Sequence, residues 1–179
     1  MTTLTQEEAH RLFEYRDGVL YWKERPRSDF KTDLKFKQWN PKHAGTRAGC
    51  WTGHHVTVGI NNKNYPLARV VFVMHYGYLP EIVDHADCNP MNNDISNLRA
   101  ATKAENQRNA GMFAHNTSGI KGVIWDKRSK RWIGRIKVNG KCKHLGSFKS
   151  KEDAGEFVQL AREELHGKFA NHGFIGALA

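Results

Sequence analysis

The residues of this chain best suited to chemistry lie in one segment, positions 82–109, which reads IVDHADCNPMNNDISNLRAATKAENQRN. Hydrolysis of a phosphodiester needs a base that deprotonates water and a divalent cation that stabilises charge on the phosphate and the leaving oxygen. Asp84 and His85 are neighbours on a predicted strand, so one can hold a metal while the other faces the water. Because Mg²⁺ keeps several waters, Asp84 and one amide oxygen would be enough to bind it.

The order of these residues resembles a known family. The pattern D-H-x-D, followed by N-N, N-L-R and T-x-x-x-N, is similar to the HNH nuclease motif in its ββα-metal form, found in phage and intron-encoded homing endonucleases. The resemblance implies a strand, an Ω-loop, a second strand and a helix, with the metal between strand and helix. It also implies Mg²⁺ or another divalent cation, such as Mn²⁺, as the cofactor.

Carried over by position, the resemblance assigns a role to each residue of the motif. Asp84 would be a metal ligand and His85 the general base. Asn97 would be the middle asparagine, which braces the loop and the His85 backbone. Asn106, on the helix, would be the second metal ligand in place of the last histidine of the family name. Asn92 and Asn93 look like residues that staple the loop.

The segment before the motif also resembles the family. Residues 65–80, YPLARVVFVMHYGYLP, are similar to the lead-in that commonly carries His-Arg. Arg69 matches this pattern and would contact the scissile phosphate, whereas Ala68 stands where the family has histidine.

The charge of the chain favours a polyanionic partner. The net charge is +10 over 179 residues, and residues 121–151 hold eleven Lys/Arg but one acid, Asp126. Such a partner is nucleic acid or an anionic membrane surface. Membrane binding would want a basic amphipathic helix, whereas this stretch has the pattern of strands, so nucleic acid is favoured. The alternative to a nucleic-acid partner is that these basic residues form only a solvated face.

The C-terminal third resembles a DNA-binding domain. The segments KGV (121–123), RWIGRIKV (131–138) and KHLGSF (143–148), with the helix that ends in HGKFAN, are similar to the APETALA/ethylene-response-factor domain. The resemblance covers about residues 118–172. It implies a three-stranded antiparallel sheet that packs on one helix and lays its other face in the DNA major groove.

The residues themselves support such a sheet. Asn139-Gly140 predicts a two-residue hairpin, which pairs Arg135 with His144 and Lys137 with Cys142. Arg135, Lys137 and His144 then share one face, while Ile136 and Leu145 can meet the helix. Phosphate contacts are expected from Lys127, Arg128, Lys130 and Arg131. In the family, Arg and Trp usually occupy the positions that Lys121, Trp125 and His144 hold in this chain. These three residues are therefore also predicted to contact DNA.

Local signals place the supporting elements. Thr5 and Glu8 predict a capped first helix, and Thr102 caps a second from Lys103 to about Ala110. A third begins after Ser150, presents Ala154, Phe157, Val158, Ala161 and Leu165 on one face, and ends at Gly167. Residues 65–74 fit either a helix or a strand, and residues 23–49, which are basic and broken by Gly and Pro, fit no clear element.

These observations predict an α+β protein, in which a ββα-metal nuclease unit precedes a three-stranded antiparallel sheet packed on one helix. The nuclease domain would span residues 1–110 (motif core 82–109), a linker 111–117 and the DNA-binding domain 118–179. The expected function is site-selective cleavage of double-stranded DNA by a monomer or weak dimer. The main alternative is a non-catalytic DNA-binding regulator with a degenerate nuclease fold, and a second is a structured-RNA binder.

The sequence also bears on location. Three cysteines without a CxxC pair argue against a disulfide framework and a structural zinc site. There is no apolar run of spanning length and no apolar signal core at the start, so no membrane association is expected. The expected location is the cytoplasm, of a bacterial host if the gene is phage-encoded.

Overall fold

A computed structural model of the chain describes residues 4–173; residues 1–3 and 174–179, the outer ends of the two predicted domains, lie outside the described residues. The described part contains five α-helices and four small sheets. The helices are α1 (Gln6–Leu12), α2 (Asp33–His43), α3 (Leu67–Tyr76), α4 (Lys103–Asn109) and α5 (Lys151–His166). No helix within residues 4–173 has both the length and the apolar character that a membrane span requires.

The strands are short and pair mostly with their neighbours in sequence. They are β1 (Phe13–Arg16), β2 (Val19–Trp22), β3 (Cys50–Trp51), β4 (Val56–Ile60), β5 (Lys63–Pro66), β6 (Ile82–His85), β7 (Leu98–Ala101), β8 (Val123–Asp126), β9 (Arg131–Val138) and β10 (Lys141–Phe148). The sheets have the orders β1-β2, β3-β4-β5, β6-β7 and β10-β9-β8.

The chain divides into two units, and the division differs from the predicted one. The first unit runs to His85 and includes Pro90–Ala100, while the second contains Ala86–Asn89 and the chain from Ala101 onward. Helix α4 therefore belongs to the C-terminal unit by its contacts, although the motif that it completes begins in the first unit. The reason is local, since α4 contacts the 3-10 turn Gly167–Phe169 that follows α5.

The core of the first unit forms around α3. Seven residues of this helix are buried, which resolves the ambiguity of residues 65–74 in favour of a helix. Because it is apolar nearly all round, α3 occupies the centre of its unit, where Leu12, Phe13 and Leu20 pack in the same cluster. Each such side chain contributes roughly 1.5–3 kcal/mol on burial. Gly77, at φ +75°, ends the helix.

The second unit is a three-stranded antiparallel sheet with α5 against it. The hairpin turn Asn139-Gly140 has positive φ at both residues, and Arg135 lies opposite His144. The predicted register is confirmed, with one irregularity after His144 that leaves Leu145 as an extra residue. Val123 of β8 packs with Ala154 and Val158 of α5 to form the core.

The ends of α5 are as predicted, and its buried face agrees in part, since Ala154 and Val158 are buried. Ser150 accepts a hydrogen bond from the Asp153 amide, and the helix ends at Gly167. Phe157, predicted to face the core, is 47% exposed, whereas Arg162 is only 3% exposed. The buried row therefore includes a polar residue. Its guanidinium is satisfied because Nη2 donates to the Lys121 carbonyl at 2.6 Å.

Candidate active site and nucleic-acid interface

The motif begins with a buried ion pair across β6 and β7. Asp84, on β6, is only 4% exposed. Arg99, on β7, donates from Nε to Asp84 Oδ2 at 2.8 Å. A buried carboxylate requires such a partner, since its desolvation would otherwise oppose the charged form. The pair places a guanidinium beside the one buried carboxylate of the motif, which is the predicted metal ligand.

His85 follows Asp84 and has a different partner. Its Nε2 lies 3.2 Å from Oδ1 of Asn93, in the loop between β6 and β7. In the tautomer that carries hydrogen on Nε2, the ring donates to this amide oxygen, and the basic lone pair is on Nδ1. His85 is half-buried, and Asn93 is buried. The amide thus fixes the orientation of the imidazole.

The loop that carries Asn93 is itself braced by side-chain amides. Asn97 Nδ2 donates to the Asn92 carbonyl at 2.8 Å, and Asn93 Nδ2 donates to the Met91 carbonyl at 3.2 Å. From outside the loop, the Tyr15 hydroxyl accepts from the Ile95 amide at 3.0 Å. These bonds satisfy backbone groups of an irregular segment and hold it in one conformation.

Two predicted site residues lie elsewhere. Arg69 is on α3, where Nη1 donates to the Glu81 carbonyl at 3.2 Å, just before β6. Asn106 is on α4, whose N-terminus has the predicted cap: Thr102 and Glu105 form a reciprocal capping box. Because α4 belongs to the second unit, Asp84 and Asn106 fall in different units. Their shared metal ligation stays a prediction.

The donor chemistry of the motif suits a hard divalent cation. Among the described residues, no group of three or more His, Cys, Asp and Glu side chains could hold a metal ion. A cage of several carboxylates or a thiolate site does not occur there. A carboxylate together with an amide oxygen fits Mg²⁺, which binds through one or two carboxylates and keeps its waters.

In the second unit, the sheet has one basic face. Arg135, Lys137 and His144 are exposed on the side away from the core, while Gly134 and Ile136 are buried on the other. The β8–β9 turn next to this face exposes Lys127, Arg128 and Lys130, and Arg131 follows at the start of β9. Asp126 accepts from the Arg128 amide and from Ser129, which shapes the turn.

Lys121 occupies a structural position instead of joining this face. Its Nζ donates to the carbonyls of Arg108, Ala110 and Asn171. Burial, with a smaller contribution from Arg162, lowers the pKa of Lys121 to about 8. The ammonium thus ties the segment after α4 to the sheet, and its donors are directed to backbone oxygens.

Trp125 also departs from the predicted grouping. It lies opposite Trp132 in the β8–β9 register, with ring centroids 5.0 Å apart. The neighbouring pair on the same side is Val123 with Gly134, which is the α5 side of the sheet. Trp125 is 44% exposed, but on the face opposite to Arg135.

A cleft of about 640 Å³ adjoins the basic face within the second unit. Arg135 and Lys137 line it together with Arg108 of α4. Phe113 and His115, in the segment between α4 and β8, also line it. Phe113 is 68% exposed and stacks on His115, with ring centroids 5.4 Å apart and planes at 10°. An exposed aromatic pair beside basic residues is a surface on which a base or sugar could stack.

Reasoning from sequence missed three of these residues. Arg99 falls in the N-L-R part of the motif, which is the signal that could have suggested its pairing with Asp84. Asn93 was expected only to staple the loop, whereas it also orients His85. Phe113 was placed in a linker of small and polar residues, where a lone aromatic side chain was the available signal.

Known proteins are similar to parts of this chain. Residues 65–108 match the HNH endonuclease family. Protein 3.8 of Escherichia phage T7 is 39% identical over 90 residues, which cover 49% of this chain and 72% of that protein. The uncharacterized HNH endonuclease L560 of Acanthamoeba polyphaga mimivirus is 33% identical over 88 residues, 49% of this chain and 44% of that protein. The match thus spans less than half of the mimivirus protein, and no solved structure matches significantly.

Proposed function

The chain belongs to one family with Protein 3.8 of Escherichia phage T7 and has an HNH endonuclease domain at residues 65–108, and from this premise we propose that it is a site-selective DNA endonuclease of the homing type. The observation that carries the proposal is the pair of neighbours on β6. Asp84 is buried and accepts a hydrogen bond from Arg99, while the adjacent His85 is oriented by Asn93. This supplies a carboxylate and a positioned base at one strand end.

His85 acts as the general base in this proposal. With Nε2–H donated to Asn93, Nδ1 accepts a proton from the attacking water, whose oxygen forms the new bond to phosphorus as the bond to the leaving oxygen breaks. Arg69 would contact the scissile phosphate, and Asn97 holds the loop on which the orientation of His85 depends.

Asp84 is the residue of the first unit that would hold a divalent cation, Mg²⁺ or Mn²⁺. When bound, the cation would stabilise negative charge on the phosphate and on the leaving oxygen. The family resemblance nominates Asn106 as the second oxygen ligand. Oxygen donors of this kind are the ones that hard cations prefer.

The second unit is proposed to be a DNA-binding module of the APETALA/ethylene-response-factor type. Support comes from its sheet, whose exposed face carries Arg135, Lys137 and His144 beside the basic β8–β9 turn. A strand face of this width suits the major groove of double-stranded DNA. Two further residues predicted to bind DNA lie off this face: Lys121 donates to backbone carbonyls, and Trp125 is on the other side of the sheet.

Supercoiled plasmid tests the activity. We expect relaxed or linear product with Mg²⁺ and none with EDTA. His85→Ala should lower the cleavage rate by about 10²–10⁴-fold, because it removes the base, and should leave DNA binding unchanged. His54→Ala, at an exposed histidine of the same unit, is the matched control and should cleave normally. Wild-type cleavage by His85→Ala would contradict the assignment of the base.

One observation favours the alternative of a non-catalytic DNA-binding regulator. Arg99 already supplies Asp84 with a positive partner, which a degenerate site could keep for stability alone. The same plasmid assay separates the two functions. A regulator would bind the plasmid, with the salt dependence of phosphate contacts, and would leave it supercoiled under all metal conditions.

A further inference from the structure

Helix α2 has no buried residue, although it belongs to a folded unit. Helices of globular proteins normally bury an apolar stripe, and a helix that is polar nearly all round needs another source of stability. Residues 23–47, which contain α2, hold eight Lys/Arg and three acids. The proposed roles of the nuclease motif and of the C-terminal sheet use none of them.

The helix is held by aromatic contacts along one side. Trp39 meets Trp22 of β2, with ring centroids 5.4 Å apart, and Phe30 at 5.8 Å. Phe36 also meets Phe30 at 5.8 Å. Positions 36, 39, 40 and 43 are the partly covered ones, and they share one side of an α-helix.

Arg25 locks the helix to the preceding loop. Its guanidinium lies over the rings of Phe30 and Trp39, at 5.0 and 5.1 Å from their centroids. Its backbone N–H donates to Asn40 Oδ1 at 3.0 Å, and its carbonyl accepts from Asn40 Nδ2 at 2.9 Å. The orientation of α2 in the first unit is therefore specified by several independent contacts.

The two flanks of α2, on either side of its covered face, are exposed and basic. Lys35 and Lys42 lie in one row of the helix and Lys37 on the other flank, and all three are exposed. Nearby carboxylates are engaged with other residues: Asp29 pairs with Arg25 and Arg11, and Asp33 pairs with Arg27. The remaining acid, Glu24, is exposed ahead of the helix.

The β1–β2 hairpin connects this helix to the nuclease motif. Trp22, at the end of β2, contacts Trp39. Gly18, at the tip of the hairpin, packs directly on the loop between β6 and β7. A Cβ at Gly18 would lie 2.7 Å from the Asp94 amide nitrogen. The four residues of β2 span about 13 Å. The hairpin thus separates its contact with the motif loop from its contact with α2 by much less than one turn of duplex, which is about 34 Å.

We propose that α2 is a second DNA-contacting surface, in which Lys35, Lys37 and Lys42 neutralise phosphates of the duplex that flank the scissile bond. The proposal rests on the proposed nuclease function for the identity of the polyanion. It accounts for an arrangement of aromatic contacts and an Arg25 stack that hold the lysines of both flanks in one orientation. Its role is positioning, since these lysines do not touch the reacting atoms.

The test uses the full chain and a short DNA duplex of arbitrary sequence. The triple variant Lys35→Gln, Lys37→Gln, Lys42→Gln should bind more weakly and should flatten the plot of log affinity against log salt, by about 0.9 for each phosphate that is no longer neutralised. A triple Lys→Arg variant keeps the charge and should keep the slope. Two single variants give a matched comparison. Lys42→Gln should bind DNA more weakly than wild type. Lys63→Gln, at an exposed lysine on β5 of the same unit, should bind DNA as wild type does.

Cleavage kinetics give a second readout. With saturating plasmid the triple Gln variant should cleave at the wild-type rate, whereas at low plasmid concentration it should be slower, because only binding is affected. A triple variant with wild-type slope and affinity would overturn the role of α2, whether or not the chain cleaves. Binding with the expected slopes but without cleavage would overturn the nuclease function and leave this surface standing. Failure of wild type to bind DNA would overturn both.

Discussion

At the scale of single residues, the proposed site depends on neighbours of Asp84 and His85 that touch no substrate. Arg99 donates a hydrogen bond to the buried Asp84 carboxylate, and Asn93 fixes the orientation of the His85 imidazole. Both act through another residue and are positioning residues in this sense. Substitution of either residue should therefore lower the cleavage rate but leave the proposed base and metal ligand in place.

Asn93→Ala tests this role. The substitution removes the acceptor of His85 Nε2, so the cleavage rate should fall by about 10–100-fold, the loss typical of residues that orient a functional ligand.

Asn92→Ala is the matched control. The Asn92 side chain accepts from the Asp94 amide, at 3.3 Å, within the same loop, and its backbone carbonyl stays in place for Asn97. The variant should cleave within a few-fold of wild type. Equal losses in the two variants would indicate that Asn93 serves the loop and not His85.

The residues differ in how far sequence could identify them. Asp84 and His85 belong to the ordered sequence pattern of residues 82–109, so their roles can be predicted from neighbouring residues alone. The Asp84–Arg99 pair could not be read in this way, because it exists only once β6 and β7 are side by side. The structural position of Lys121 was hidden for the same reason, since the Asn171 carbonyl that it binds lies fifty residues away.

At the scale of elements, the β8–β10 sheet and α5 meet through a strand glycine. A Cβ at Gly134 would lie 2.8 Å from Val158 Cγ2, and Val158 is fully buried. Gly134→Ala should therefore overpack this contact and cost about 1–3 kcal/mol of the free energy of unfolding. Urea denaturation of the variant measures the loss.

Gly59→Ala, in β4 of the first unit, is the corresponding strand control. A Cβ there meets only Asn64 Oδ1 at 3.5 Å, an ordinary contact. Its free energy of unfolding should stay near that of wild type. Comparable destabilisation by the two substitutions would mean that the loss at Gly134 is a strand-glycine effect and not a helix–sheet contact.

Elements with strong local sequence signals could be predicted. Elements stabilised by residues outside their own sequence could not. Asn139-Gly140 and the Ser150 and Gly167 caps define a hairpin and a helix through their own backbone chemistry. Helix α3 was ambiguous because a continuous apolar run fits a buried helix or strand equally. Helix α2 was not assigned because its contacts come from Trp22 and Phe30, outside its own sequence.

At the scale of the whole molecule, the second unit reaches back beyond the predicted boundary at residue 118. A fragment of residues 101–179 should be more stable than one of residues 118–179. The shorter fragment lacks the Arg108 and Ala110 carbonyls that accept from Lys121, which should cost about 1–3 kcal/mol for a half-buried donor left short of partners. The midpoints of urea denaturation decide this, and equal midpoints would restore the boundary at 118.

The lowered pKa of Lys121 gives the stability of the protein a pH dependence. Between its folded pKa of about 8 and its usual value of 10.5, the unfolded chain binds a proton that the folded chain does not. Stability should therefore rise with pH across this window, and this contribution should be absent in Lys121→Met. Free energies of unfolding at about pH 7.5 and pH 10 for both proteins measure the difference. An identical pH dependence would contradict the burial of the ammonium.

The membership of α4 in the second unit has a consequence for chimeric nucleases. A junction placed directly after α4 would transplant the sheet without the Arg108 carbonyl, one of the three that accept from Lys121. A junction placed before Ala101 would carry Asn106 along with the sheet. A change of the proposed DNA-binding sheet would then also exchange a predicted metal ligand. On the proposed roles of Asp84 and Asn106, an exchange of target preference would therefore require the two chains to match at both positions.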